Sequence, residues 1–416
     1  ALEIKKRIEL GLFSESSFNL ESMIQRQINY DEPFVCNGGK EKCDIKCSIN
    51  RIRIDGKIYP FGGSCNKYTN LRQNKDFDEA NTDYVNVRTD LMFDKYAPVK
   101  EIKEDALTIG VNRTFVTHWL FPLYYNFFTS LGCKVITSHE VNEEAFNRQF
   151  TSLCFPAQLA LGLFDTLIEK DPDYYFMPHV EELHVPNAPN RKEFSSTCIF
   201  VQGEAFWLRR AFMEKDLDNK ILAPTINFVG GWEKGRDAFV GVAKEIGFSQ
   251  KEASLAFDTG LKMQHGYEKE YREIGRKVLA DLHANPEKTA TVLFGRPYNS
   301  FTDEANKGIP KKITSRGHIV IPFDMLDYDN EPLGDDYNEY MHWELGHKIL
   351  RASQIVKRDE QLFGVYITNF LCAIDSFLVT YFRNIMQTKP SLTLELDGHT
   401  ADAGVNTRIE AFYDIV

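Results

Sequence analysis

The chain has 416 residues, of which 43% are hydrophobic and 26% charged, and a formal net charge of −11, the composition of a folded protein with room for two to four domains. An acidic balance without a long basic run excludes nonspecific nucleic-acid binding, which needs clustered Lys and Arg to release counterions. No apolar run reaches the roughly 20 residues of a bilayer span; the longest, Trp119 to Leu131, carries Pro122 and Asn126, so a membrane segment is not expected.

The opening ALEIKKRIEL has neither an initiator Met nor the basic-then-apolar profile of a signal peptide, and the chain reads as a cytoplasmic piece of a longer polypeptide. In that setting the eight cysteines read as thiols or metal ligands and not as disulfides. Residues 1–100 form a small Cys-rich amino-terminal module. Its cysteines, Cys36, Cys43, Cys47 and Cys65, follow the spacing C-x6-C-x3-C-x17-C, with glycines beside the first and last for tight turns. Four thiolates suit zinc or an iron–sulfur cluster equally. The stretch INRIRIDGKIYPFGG alternates about a central Asp-Gly, which is a hairpin signal.

From residue 101 the pattern changes. LTIGVNR, then THWLFPLYYNFFTSLG, then CKVITS read as strand, helix, strand, and the alternation continues to residue 231 as a first α/β domain. Residues 232–288 have helical periodicity and few strand formers, and read as a helical connector; GGWEKG within it reads as a turn. A second α/β domain, 289–416, alternates strands (TATVLF, HIVIPF, LFGVYITNF, SLTLELD) with helices. The fold class is therefore α/β, with two Rossmann-like, doubly wound parallel-sheet domains whose ligands belong at the carboxyl ends of the strands.

Three cysteines share one address, after a strand or loop and just before a helix: Cys154 in SLCFPAQLALG, Cys198 in STCIFVQGEAFW and Cys372 in NFLCAIDSFLVTYF. A helix N-terminus favours a thiolate and lowers its pKa, so three such turns could converge on one iron–sulfur centre. Cys133, opening a strand, reads as core. His342 and His347 are five apart, off the four-residue spacing that puts two ligands on one helix face, and read as surface or packing residues. Neither GxGxxG nor GxxxxGK[ST] occurs, so neither a dinucleotide site nor a P-loop is expected. Tyr298, Asn299, Asp324 and His399 lie at strand ends and could line a pocket. Asp397, His399 and Asp402 follow the last strand as either a pocket edge or a helix cap.

The segments IGVNRTF, CFPAQLALG, TCIFVQG, VLFGRPYN, IPFDML, NFLCAIDSF and LELDGHTADAGVNTRIEAF, in this order, together resemble the activase-associated branch of the 2-hydroxyacyl-CoA dehydratase and benzoyl-CoA reductase superfamily. The resemblance spans nearly the whole chain. It implies cluster cysteines at Cys154, Cys198 and Cys372, and a cofactor of the 4Fe-4S type. It also implies a redox role in which an ATP-dependent activase domain or subunit supplies electrons for reduction or dehydration of an acyl-CoA, in a protein that could pair as a homodimer. A separate Cys-rich segment in the relatives resembles Cys36, Cys43, Cys47 and Cys65. Relatives tend to have Gly-Cys-Gly-Pro-Asp where this chain has Leu371-Cys372-Ala373-Ile374-Asp375, and an acidic residue before His where it has Gly398. The alternative function is a non-catalytic scaffold or regulatory domain with a structural zinc or iron–sulfur site.

Overall fold

The computed structural model describes residues 26–39, 43–63, 67–68, 81–186 and 195–416. The chain divides into two compact units, residues 1–39 with 43–76, and residues 40–42 with 77–416.

In the first unit three antiparallel strands, β1 (Ile28–Val35), β2 (Ser48–Ile54) and β3 (Lys57–Phe61), lie in that order. The β2–β3 hairpin is the expected one. Asp55 and Gly56 at its tip both have positive φ, 49° and 81°, the requirement of the tight turn that matches strand twist.

The second unit holds both parallel sheets. Strands β4 (Thr108–Val111), β5 (Lys134–Ile136), β6 (Tyr174–Phe176) and β8 (Ile221–Leu222) make the order β5-β4-β6-β8, with a two-stranded companion of β7 (His179–Glu182) and β9 (Thr225–Asn227). Strands β10 (Ala290–Phe294), β11 (Ile319–Pro322), β12 (Leu362–Asn369) and β13 (Ser391–Leu396) make the order β11-β10-β12-β13. Each sheet starts in its interior, steps one way, then reverses, so the two share one winding. The reversal leaves a crevice between β4 and β6 in one sheet and between β10 and β12 in the other, where ligands of such folds bind. Strand β10 is buried along its whole length, as a parallel strand covered on both faces must be.

One continuous apolar cluster runs through both sheets and their helices. The expected boundary at residue 100 therefore moves to 76/77. The helix Tyr84–Asp90 belongs to the larger unit because Asp83 bridges Val320 and the buried Arg88 donates to Asp324 at 2.7 Å. The connector is dominated by one helix, Gln250–His283, opened by a reciprocal cap between Ser249 and Glu252. It is pressed onto both halves through glycines. A Cβ on Gly260 would stand 2.7 Å from the carbonyl oxygen of Leu123, and one on Gly275 2.2 Å from that of Met325.

Candidate functional site

The three candidate cysteines Cys154, Cys198 and Cys372 are all N-cap residues. Cys154 caps the helix Phe155–Ile168, with Pro156 in its first turn; Cys198 caps Ile199–Gln202; Cys372 caps Ala373–Met386, its sulfur accepting from the Asp375 amide at 3.3 Å. The local cause is plain in each case: an extended cysteine follows a strand or loop, and an apolar, helix-compatible run follows it. Leu371 reaches Cys372 through a left-handed turn, φ 63°, a conformation that disfavours a side chain.

The carboxyl edges of the two sheets meet here. Phe115, after β4, stands edge-on to Tyr298, after β10, at 5.3 Å, and Ser196 bridges Trp343. At the junction lies Arg296, 2% exposed, which sequence reasoning passed over in GRPYN. Its Nη2 donates to Cys372 Sγ at 2.6 Å and to Asp375 at 3.2 Å, and its Nη1 to the Tyr298 hydroxyl at 2.8 Å. Asp375 also accepts from Thr368 and Tyr366. Burial works against the Arg296 charge, and Asp375, Cys372, Tyr298 and Cys198 around it more than offset that, holding its pKa well above the ordinary value.

The three thiols feel one another's fields, Cys154 with Cys198 and Cys372 with Cys154. For Cys154 and Cys372 the shift is the reverse of what the helix-dipole reading predicts. Burial pushes the Cys372 thiol up to about 12 although Arg296 draws it down, and burial likewise raises Cys154. Desolvation of a buried anion exceeds the partial charge of a helix end. Among the described residues no three His, Cys, Asp or Glu side chains are already drawn together as a metal site.

The crevice nevertheless suits a soft centre by its chemistry. Three thiols stand with a buried guanidinium, and several polar atoms are buried without hydrogen-bond partners among the described residues: Arg296 Nε and both amide atoms of Asn299 and of Asn369. These sit at the ends of β10 and β12, on the two sides of the reversal. A cavity of about 510 Å3 beside them is lined by Thr368, Asn369, Cys372, Asp375, Arg383 and Glu395, among others.

Other sequence candidates fall elsewhere. Asp324 is paired with Arg88 inside the core. His399 is exposed, donating its amide to Asp397, and neither Thr400 nor Asp402 caps the last helix: its N-cap is Ala401, while Asp402 pairs with the buried Lys312 at 3.1 Å. His347 is buried against the Met341 carbonyl and pushed down to about 4 by burial; His342 is exposed. Cys133 is core, its thiol raised by burial to about 11. In the first unit the Cys36 amide donates to the Cys47 carbonyl at 2.9 Å, and Gly38 lies against the Cys43 backbone. Cys65 lies outside the described residues.

Residues 108–326 match the family described as CoA enzyme activase uncharacterised domain (DUF2229). No match is found among curated proteins. Among solved structures, the C-terminal domain of glucosamine-fructose-6-phosphate aminotransferase from Francisella tularensis aligns over 79% of this chain and 92% of its own, at 8% identity and a TM-score of 0.18, too low to bear on fold or function. No helix among the described residues is long and apolar enough to cross a membrane.

Proposed function

The chain belongs to the CoA enzyme activase uncharacterised domain family, and from that premise we propose that it is an iron–sulfur redox component held at Cys154, Cys198 and Cys372, working with an activase on an acyl-CoA or other small substrate. The observation that carries the reading is the common N-cap position of the three thiols around one buried arginine. When bound, such a centre supplies one-electron transfer at a potential set by ligation, burial and hydrogen bonds. Arg296 holds the Cys372 sulfur in place and offsets negative charge there. The apolar side chains of Val116, Leu183, Val201, Trp343 and Ile374 line the cavity beside Cys198, and the amides of Asn299 and Asn369, without partners among the described residues, can receive a polar group. Cys36, Cys43, Cys47 and Cys65 would form a separate zinc or cluster site that stabilises the small first unit.

Anaerobic iron and acid-labile sulfide analysis of the wild type beside the three Cys→Ser variants tests the proposal. Iron and sulfide should be present in the wild type and lost in each variant, because a serine hydroxyl is a poor soft-metal ligand of similar size. Retention of iron in Cys372→Ser would remove that residue from the site. A second reading, a non-catalytic scaffold, is favoured by the surroundings Leu371-Cys372-Ala373-Ile374-Asp375 of the third cysteine; a colourless protein holding only zinc would support it.

A further inference from the structure

Away from the cysteines, a cleft of about 390 Å3 opens where the Gln250–His283 helix passes the two sheets, within the size range of small-molecule sites. Its aromatic walls are Trp119, Trp232, Tyr271 and Tyr328. Two cations lie on these rings. The Arg272 guanidinium is 4.0 Å from the Tyr328 centroid and the Lys348 ammonium 4.4 Å from that of Trp119.

The acids of the cleft are engaged. Glu268 accepts from Trp232 Nε1 at 3.1 Å and Gln264 Nε2 at 3.0 Å; Glu233 faces His265 at 3.4 Å; Asp329 takes Nη2 of Arg272 at 3.4 Å. What remains is donor capacity. Nη1 of Arg272 is buried with no hydrogen-bond partner among the described residues, on a side chain 13% exposed. Lys348, paired with Glu344, has further N–H groups. An unmatched buried guanidinium N–H is unfavourable unless something meets it, and the something must be an acceptor.

We propose that this cleft binds a small anion carried on a flat ring, its phosphate or carboxylate received by Arg272 and Lys348 and its ring lying against the tryptophans. Aromatic walls account for the ring, the unpartnered guanidinium N–H for the acceptor, and the volume for a ligand no larger than a nucleoside monophosphate. The site does not rest on the cysteines, and the three Cys→Ser variants should bind as the wild type does.

The test is quenching of tryptophan fluorescence and equilibrium dialysis on the full chain, with adenosine monophosphate, phenylacetate, adenosine and inorganic phosphate as probes. One or both of the first two should saturate. Adenosine and inorganic phosphate, each lacking half of the ligand, should bind at least about tenfold more weakly. Preference for the monophosphate assigns a phosphate ligand, and preference for phenylacetate a carboxylate. Arg272→Leu should weaken binding about tenfold or more. Lys269→Glu, on the exposed rim with a side chain 77% exposed, should weaken it about threefold with an unchanged melting temperature, which keeps the test alive if Arg272→Leu fails to fold. Absence of saturable binding of either ring-bearing anion at about 1 mM, or affinity unchanged in both variants, would overturn the proposal.

Discussion

Glu204 sits 7% exposed at the start of the helix Glu204–Ala211, with Thr114 Oγ1 and Asn112 Nδ2 the only donors to its carboxylate among the described residues. Burial pushes its carboxyl up from 4.5 to about 7, against the pull of those two hydrogen bonds. The folded pKa lies above the unfolded one, so between these values the native chain holds a proton that the unfolded chain has released. Stability therefore falls as pH rises through this window and the loss is complete above it; at 1.36 kcal/mol per pH unit it amounts to roughly 3 kcal/mol. Glu204→Gln keeps the shape and an accepting carbonyl but cannot ionise. Urea unfolding of the two proteins should give nearly equal stability at about pH 4 and a variant more stable by up to roughly 3 kcal/mol at about pH 8, with the gap opening between. Parallel pH profiles, or a variant weaker than the wild type at the alkaline end, would refute the reasoning and mean that the carboxylate has a cationic partner.

Arg296→Met leaves the Asp375 carboxylate buried with only hydroxyl partners and should cost about 3–5 kcal/mol, most of it recovered in Arg296→Met/Asp375→Asn; a denaturant double-mutant cycle without coupling would contradict this. Gly275→Ala should destabilise despite the better helix propensity of alanine, because the added methyl meets the Met325 carbonyl. Gly241→Ala, on the exposed face of Arg236–Glu245 with nothing within 4 Å, should stabilise by about 1 kcal/mol; thermal midpoints moving the same way would be wrong for this account. Leu371→Gly should raise the midpoint slightly, since a left-handed side-chain residue carries about 1–2 kcal/mol of strain and the exposed Leu371 loses little packing; a lower midpoint would show that the leucine is held by contacts.

Elements governed by near neighbours in sequence were legible. The Asp-Gly hairpin and the cysteine before each apolar helix follow from local turn and cap chemistry, and the alternation of strands and helices implied parallel sheets. Contacts between distant residues were not. Nothing in GRPYN indicates that Arg296 reaches a sulfur 76 residues away, and nothing near Asp324 announces Arg88, 236 residues earlier. That second pair is also why the sequence boundary at residue 100 fell too late. The sign of the thiol shifts was missed for a related reason: a helix N-terminus can be read from spacing, whereas the desolvation that outweighs it depends on how tertiary packing covers the cap. The left-handed backbone at Leu371 likewise left no sign in the sequence.

The glycine contacts of the Gln250–His283 helix have a mechanical meaning. Gly260 and Gly275 are 15 positions apart in sequence, about 22 Å along the axis, and each is seated on a carbonyl of a different half. Screwing the helix forward or back by one residue would drive Leu261 or Thr259 onto one carbonyl and Arg276 or Ile274 onto the other, so that motion is blocked at both ends. The helix acts as a strut with two notches, and His265, Glu268, Tyr271 and Arg272 project from the span between them. Whatever enters that cleft meets walls whose spacing is set before it arrives, and little of its binding energy is diverted into closing the halves together.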